Sequence, residues 1–426
     1  MKQHRRHFLK SASYATALAV FAPAINSLAA SKVKKTKILL HSAWQTVNIG
    51  DIGHTFGILE LFKKYLPESE ITLWPRNALD RNVDKLLKAS FPALILIDTP
   101  STAAGSRPAA VQKAFDECDL MIHSSGPHLV GAPGLLAWHR ETKKPFGVYG
   151  VSLDELKGEL REVVDYAAFF YCRDTESLKY LKTLNLKSPI QAFAPDATFA
   201  INLHNEPAAS AYMQKTGLKK GEFICLIPRL RYTPYFQIKG TEPTAEDSRK
   251  HAISLAFKEV DAQKMREIIS RWVTETGMKV LVCPEMTYEV PLGKEVVDPL
   301  PPEIRKNVVW RDSFWLPDEA ASVYAKARAM VCFEPHSLIM AVAEGIPCIH
   351  MKQPTDTRKG QMWRDIGLGD WYFLIDETPG SQIADALMKI HHNYPEALRI
   401  TERARRNVIE VQDDNFKEIR KVINGI

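Results

Sequence analysis

The sequence predicts an α/β protein of two domains, each built on a parallel sheet, with the sheets facing a cleft. Three observations predict it. Short apolar runs alternate with helical stretches along almost the whole chain, which is the pattern of βα units. Many of these runs are continuously apolar rather than alternating, as strands covered on both faces must be. A length of 426 residues exceeds what one core usually holds, so two domains are the default.

The chain begins with a segment that reads as an address. Arg5-Arg6-His7-Phe8-Leu9-Lys10 precedes a weakly apolar run from Ala15 to Ile25, with small residues at Ser27, Ala29 and Ala30. The run is too short to span a bilayer comfortably, which predicts a signal peptide over residues 1–30 and no stable membrane anchor. The twin arginines resemble a twin-arginine export signal, whose cargo leaves the cytoplasm folded. The expected location is the periplasm. Removing the segment takes the formal charge from +6 to +2, because it holds four basic residues (Lys2, Arg5, Arg6, Lys10) and no acid. A mature chain of +2 without an aromatic-basic stripe is not a nucleic-acid binder.

The first domain, residues 36–205, starts with the strand Lys37–His41, after which Asn48-Ile-Gly-Asp51 leads into a helix from about His54 to Tyr65. Further strands fit Ala93–Ile97, Leu120–His123, Phe146–Val151 and Phe169–Cys172. Helical stretches such as Asp174–Leu184 separate them. The polar stretch Asn202–Gly221 reads as the linker. The second domain, residues 222–380, restarts with Phe223–Ile227 and a long helix near Asp247–Thr276. Its remaining strands fit Lys279–Cys283, Val308–Trp310, Ala329–Phe333, Ile346–His350 and Trp371–Ile375. Pro317-Asp318-Glu319 starts the helix Leu316–Ala327, its acids placed well against the helix dipole. Residues 381–426 are helical and charged, and are expected to pack back on the first domain.

Composition fits an ordinary globular protein, 45% hydrophobic and 25% charged. The six cysteines form no CxxC pair and no Cys/His metal spacing, and most lie in apolar runs, so they read as small buried hydrophobes. No metal and no cofactor is expected.

The stretch Ala329–Met351 carries the most chemical information. It reads as a buried strand, a break at Glu334-Pro335, a helix opening near His336, then Gly345 and a second buried strand. His336 therefore sits at the carboxyl end of a strand and the positive end of a helix, where open α/β sheets bind ligands and especially anions. Capping the helix is its competing role. Arg229 and Arg231 follow the first strand of the second domain and are placed to face the cleft, or else are solvated loop charges. Asn48, Gly50 and Asp51 form a turn where backbone can approach a ligand, with helix capping as the alternative for Asp51. Arg173-Asp174 reads as an internal ion pair and helix cap.

Asn48-Ile-Gly-Asp51, Tyr171-Cys-Arg173-Asp174-x-x-Ser177, Pro195-Asp196-Ala197 and the His336-Ser337 unit ending in Gly345-Ile-Pro347 occur in this order. Together, over residues 37–376, they resemble the polysaccharide pyruvyl transferase family. The resemblance implies two Rossmann-like domains similar to the GT-B glycosyltransferases. It also implies transfer of a pyruvyl group from phosphoenolpyruvate to a sugar diol as a ketal, with His336 as acid/base. Such chemistry needs a proton relay near neutral pH and positive groups for carboxylate and phosphate. The candidate binding residues are Asn48, Gly50, Asp51, Ser124, Ser125, Gly126, Arg229, Arg231, Glu334 and Ser337, and the partner the resemblance implies is a polysaccharide or other glycan acceptor.

The chain departs from the family pattern at two places. Glu334 stands where the family usually has arginine, which places an anion beside a proposed anion site. Ser124-Ser125-Gly126-Pro127 replaces a glycine-rich loop, reducing close backbone approach. Export adds a third consideration, since phosphoenolpyruvate is a cytoplasmic metabolite. These features leave phosphoenolpyruvate a doubtful donor. Three readings follow: a pyruvyl transferase acting on a cell-envelope or extracellular polysaccharide, a relative with a changed donor or hydrolytic activity, or a non-catalytic glycan-binding protein.

Overall fold

The computed structural model describes residues 35–42, 45–101 and 107–426; the expected signal segment, residues 1–30, lies outside the described residues. The strands among the described residues form two sheets of seven and six strands. The first contains β1 (Lys37–Ser42), β2 (Glu70–Pro75), β3 (Ile95–Leu96), β4 (Leu120–Gly126), β5 (Phe146–Val151), β6 (Phe169–Cys172) and β7 (Gln191–Phe193). The second contains β8 (Phe223–Ile227), β9 (Lys279–Val282), β10 (Val308–Trp310), β11 (Ala329–Cys332), β12 (Cys348–Lys352) and β13 (Tyr372–Leu374).

Their orders are β3-β2-β1-β4-β5-β6-β7 and β10-β9-β8-β11-β12-β13, and every pairing is parallel. Both are doubly wound sheets, so the expected fold class is the observed one. Central strands such as β5 and β8 are buried along their whole length, because helices cover both faces and leave no side for polar residues. The strand order reverses between β1 and β4 in one sheet and between β8 and β11 in the other. Crevices open at such switch points, beyond the carboxyl ends of the strands.

Three local expectations change. The first helix spans Ile49–Tyr65 rather than starting near His54, because the Asn48 side chain accepts from Gly50 N and Asp51 N and caps it early. The strand expected over Ala93–Ile97 is only Ile95–Leu96. The presumed linker contains the helix Glu206–Thr216, capped by Asn205 and ended by Gly217 at φ +67°; its polar composition hid two ordinary helix signals.

The long carboxyl-terminal helix, Tyr394–Asn424, lies against the first domain. Phe416 stacks on Tyr65 at 4.9 Å and meets Phe62 and Tyr149 edge-on or tilted. Lys64 and Asp413 pair at 3.2 Å beside this cluster, and such exposed pairs add little. The apolar burial therefore dominates the contact. Phe416→Ala is expected to lower unfolding free energy by about 3–5 kcal/mol, as a large buried aromatic is lost. Urea unfolding followed by tryptophan fluorescence measures it, and a loss under about 1 kcal/mol would mean that the helix is not held through this side chain.

Candidate functional site

The parts of the chain that carry the two sheets meet at a short backbone seam. Ile49 N donates to Glu285 O at 3.1 Å and Thr287 N to Val47 O at 3.0 Å, with an antiparallel bridge between Asn48 and Met286. The Asn48 cap thus sits directly against the segment after β9. Gly50 is required here by space: a Cβ would lie 2.4 Å from the Cβ of His336. His336 and the Asn48 turn, distant in sequence, are in van der Waals contact.

The Pro335–Ala343 helix positions His336 and Ser337. Pro335 pre-sets its first turn, and Gly345, at φ +81°, turns the chain back into β12 as only a residue without Cβ does readily. The buried Glu285 completes this arrangement. Its Oε2 accepts from Ser337 N at 2.7 Å, and its Oε1 lies 3.3 Å from His336 Nδ1. The carboxylate therefore satisfies an orphan N–H at the helix start and orients the imidazole at once. His336 Nε2 is buried with no hydrogen-bond partner among the described residues.

A second imidazole–carboxylate pair faces the first. His54 Nδ1 lies 2.9 Å from Asp196 Oδ1, and Asp196 also accepts from Arg173 at 2.8 Å and from Thr198 N at 2.9 Å. The His54 and His336 rings meet edge to face with centroids 4.5 Å apart. Burial raises the Asp196 pKa, but His54 and Arg173 outweigh it and hold the carboxyl well below the usual range. Burial and then His54 lower the His336 pKa to about 3, so this imidazole is neutral near pH 7 and a weaker base than the near-neutral relay the sequence led one to expect.

A third group lies beyond β8 and β11. Arg229 Nε is 2.6 Å from Glu334 Oε1, Arg229 also pairs with Asp356, and Lys359 Nζ is 3.8 Å from Glu334 Oε2. Glu289 accepts from Glu285 N at 2.7 Å and Met286 N at 2.9 Å. Burial raises the pKa of Glu285, Glu334 and, most strongly, Glu289. Asp51 is raised by burial too, although His54 and His336 oppose the shift.

The structure thus joins Asn48, Gly50, Asp51, His336, Ser337, Glu334 and Arg229 around one seam. Arg231 goes elsewhere. It is bound by Asp261 at 3.0 Å and by Asp376, and covers the Phe257 ring, so it is neither a cleft-facing group nor a solvated charge. Ser124 is buried on β4, its hydroxyl without a partner among the described residues. The Ser125 side chain lies outside the described residues. Gly126 reaches the cluster indirectly: its carbonyl accepts from Ser152 N at 3.2 Å, and Ser152 Oγ accepts from Arg173 Nε at 3.0 Å. Arg173 pairs with Asp196, while Asp174 caps the next helix through Ser177 N at 2.7 Å.

Sequence reasoning missed His54, Glu285, Glu289, Asp356 and Lys359. Two signals point to some of them. Cys283-Pro284-Glu285 repeats the strand-then-break pattern of Cys332-Phe333-Glu334-Pro335, and His54 lies one helical turn past Gly50. Donor atoms of His54, Asp196 and His336 all lie within 4.8 Å of one another, a set chemically suited to a divalent transition ion. Its carboxylate is already engaged by Arg173, His54 and a backbone N–H. An open cavity of about 450 Å³ adjoins the seam, lined by Leu230, Ile238, His251, Leu255, Thr287 and Tyr288 among others; it is large enough for a sugar-sized ligand.

A family model, polysaccharide pyruvyl transferase, matches residues 48–353, and the chain belongs to that family. The fold is that of the GT-B enzymes. HepE of Anabaena, solved with UDP and glucose, is 11% identical, with 92% of this chain and 100% of that one covered and a TM-score of 0.53. MnaA of S. aureus, solved with UDP, and UGT71G1 of Medicago truncatula, solved with UDP-glucose, are each 11% identical at a TM-score of 0.56, covering 92% of this chain and 98% of theirs. No curated protein matches the chain. The family makes the protein a transferase of the pyruvyl transferase type, and no helix among the described residues is long and apolar enough to cross a membrane.

The neutral state of His336 has a measurable consequence. An unfolded imidazole takes a proton near pH 6.5, whereas the folded one does so at about pH 3. The stabilising contribution of His336 is therefore complete above pH 6.5 and is lost as pH falls toward 3. The stability difference between wild type and His336→Gln is expected to be about 2 kcal/mol smaller at pH 5 than at pH 7.5. Urea unfolding at both values tests it; a difference independent of pH would mean that the folded imidazole titrates normally.

Proposed function

We propose that the protein transfers a pyruvyl-type substituent to hydroxyls of a sugar in a cell-envelope or extracellular polysaccharide, with His336 as the proton relay. The observation that carries this is the His336–Glu285 pair at the inter-domain seam of a chain that belongs to the pyruvyl transferase family. A neutral imidazole that donates Nδ1–H to Glu285 keeps Nε2 as the acceptor. It can take a proton from an attacking sugar hydroxyl and pass it to the enol carbon of an enolpyruvyl donor, which becomes the ketal's methyl group as the donor's leaving group departs. Glu285 stabilises the imidazolium formed between those events, and His54 with Asp196 offers a second imidazole in contact with the first. The cavity lined by Tyr288 and Leu230 suits a sugar unit of the acceptor.

Incubation of the mature protein with candidate polysaccharides, with and without phosphoenolpyruvate, followed by NMR of ketal signals, tests the reading. His336→Ala is expected to slow turnover by about a hundredfold or more. Sugar binding without turnover in the wild type would reassign the protein as a glycan-binding relative. A second reading, a changed donor or removal of a sugar substituent, is favoured by Glu334, which sits on Arg229 at 2.6 Å.

Export by the twin-arginine route to the periplasm belongs to the same proposal, resting on Arg5-Arg6 and the short apolar run behind them. Replacing both arginines with lysine is expected to leave the protein in the cytoplasm on fractionation. Unchanged export would remove the twin-arginine assignment.

A further inference from the structure

The crevice has the architecture of an anion site. Two helices begin at it, at Ile49 and Pro335, and helix starts attract phosphates and carboxylates through free N–H groups and the dipole. Arg173, Arg229 and Lys359 add cations. Each of these devices is nonetheless occupied from within. The N–H groups of Gly50 and Asp51 are taken by Asn48 Oδ1 at 2.7 and 3.3 Å. Ser337 N–H is taken by Glu285 at 2.7 Å. Arg173 is taken by Asp196, Arg229 by Glu334 and Asp356, and Lys359 faces Glu334.

The partners are not loose surface carboxylates that a ligand displaces easily. Glu285 and Asp196 are fully buried and Glu334 is 2% exposed. Releasing any of them into the crevice would leave a buried charge without its partner, which costs several kcal/mol. The adjoining cavity repeats the theme, since its lining Lys258 and Glu295 pair with each other. What stays available is apolar and aromatic lining, the phenol of Tyr288, and the buried atoms without a hydrogen-bond partner among the described residues, His336 Nε2, Glu289 Oε1, His251 Nδ1 and Arg229 Nε. Arg229 Nε is already met by the Glu334 carboxylate at 2.6 Å, and the other groups hydrogen-bond hydroxyls rather than neutralise an anion.

We propose that Glu334 is the specificity-determining residue of this crevice: by filling the seat between Arg229 and Lys359 it makes the site select an uncharged, hydroxyl-bearing glycan and reject a phosphorylated donor. The inference rests on the reading that this seam is the active site, and deepens it by naming the ligand class. A phosphorylated donor brings two or more negative charges to a place where Arg229 and Lys359 are already matched by Glu334 and Asp356. At contact distance in a partly desolvated site, each like charge opposes it appreciably.

Isothermal titration calorimetry of the full mature chain with phosphoenolpyruvate, inorganic phosphate and a panel of uncharged hexose and N-acetylhexosamine oligosaccharides tests the proposal. Wild type is expected to show no saturable phosphoenolpyruvate or phosphate binding below about 1 mM, and to bind at least one oligosaccharide. Glu334→Gln, nearly isosteric and checked for folding by circular dichroism, is expected to bind phosphoenolpyruvate about a hundredfold tighter or better. Adding Lys359→Met should cancel that gain. Saturable phosphoenolpyruvate binding by wild type overturns the proposal whatever the variants do, and so does a folded Glu334→Gln that gains nothing. Turnover dependent on phosphoenolpyruvate would overturn it while leaving the transferase reading intact. Glycan binding without any turnover would do the reverse.

Discussion

One carboxylate organises the site. Glu285 is completely buried, and four separate contacts end on it. Its side chain satisfies the first turn of the Pro335–Ala343 helix through Ser337 N and orients His336 through Nδ1. Its backbone carbonyl accepts from Ile49, which opens the first helix beside the other sheet, and its backbone N–H is held by Glu289. A buried charge is tolerated only when its lone pairs are satisfied. That requirement couples the helix start, the histidine orientation and the domain seam into one arrangement, because moving any of them strands the others. The missing Cβ of Gly50 follows from the same constraint, since the seam brings backbone onto the face of His336.

Charge is distributed around this centre in an unusual ratio. Asp51, Asp196, Glu285, Glu289, Glu334 and Asp356 surround a region where Arg173, Arg229 and Lys359 supply the positive charge. Burial pushes several of these carboxyls up, and the surplus of acids adds to the shift at Glu289. A site of this composition holds protons close to the neutral imidazole of His336 and keeps a low positive potential. It suits proton transfer between hydroxyls better than capture of a multiply charged donor. Family membership and this electrostatic character therefore describe different things: the first concerns descent and fold, the second what the crevice now attracts.

Much of the fold was legible in the residues. Continuous apolar runs such as Phe223–Ile227 and Ala329–Cys332 specify strands covered on both faces, and capping residues such as Asn48 and Asp174 mark helix starts. What misled was composition at 202–221, where polarity suggested a linker although Asn205 and Gly217 bracket a helix. Within the site, His336, Ser337 and the Asn48 turn were readable because each follows a strand and opens a helix. Arg229 and Arg231 looked equivalent from their spacing. Burial separated them, sending one to Glu334 and the other to Asp261 and Asp376.

The sequence alone determined the two parallel sheets and the strand ends at which ligand-facing residues had to lie, because these depend on periodicity and local capping, which neighbours in the chain decide. Only the tertiary structure decided which of those residues meet. His54, Asp196, Glu285 and His336 come from four separate segments, and no spacing encodes their contact. The pairing of every crevice cation with an internal carboxylate was likewise settled in three dimensions, since a charge shows its sign in the sequence but its partner only after burial has removed water as the alternative.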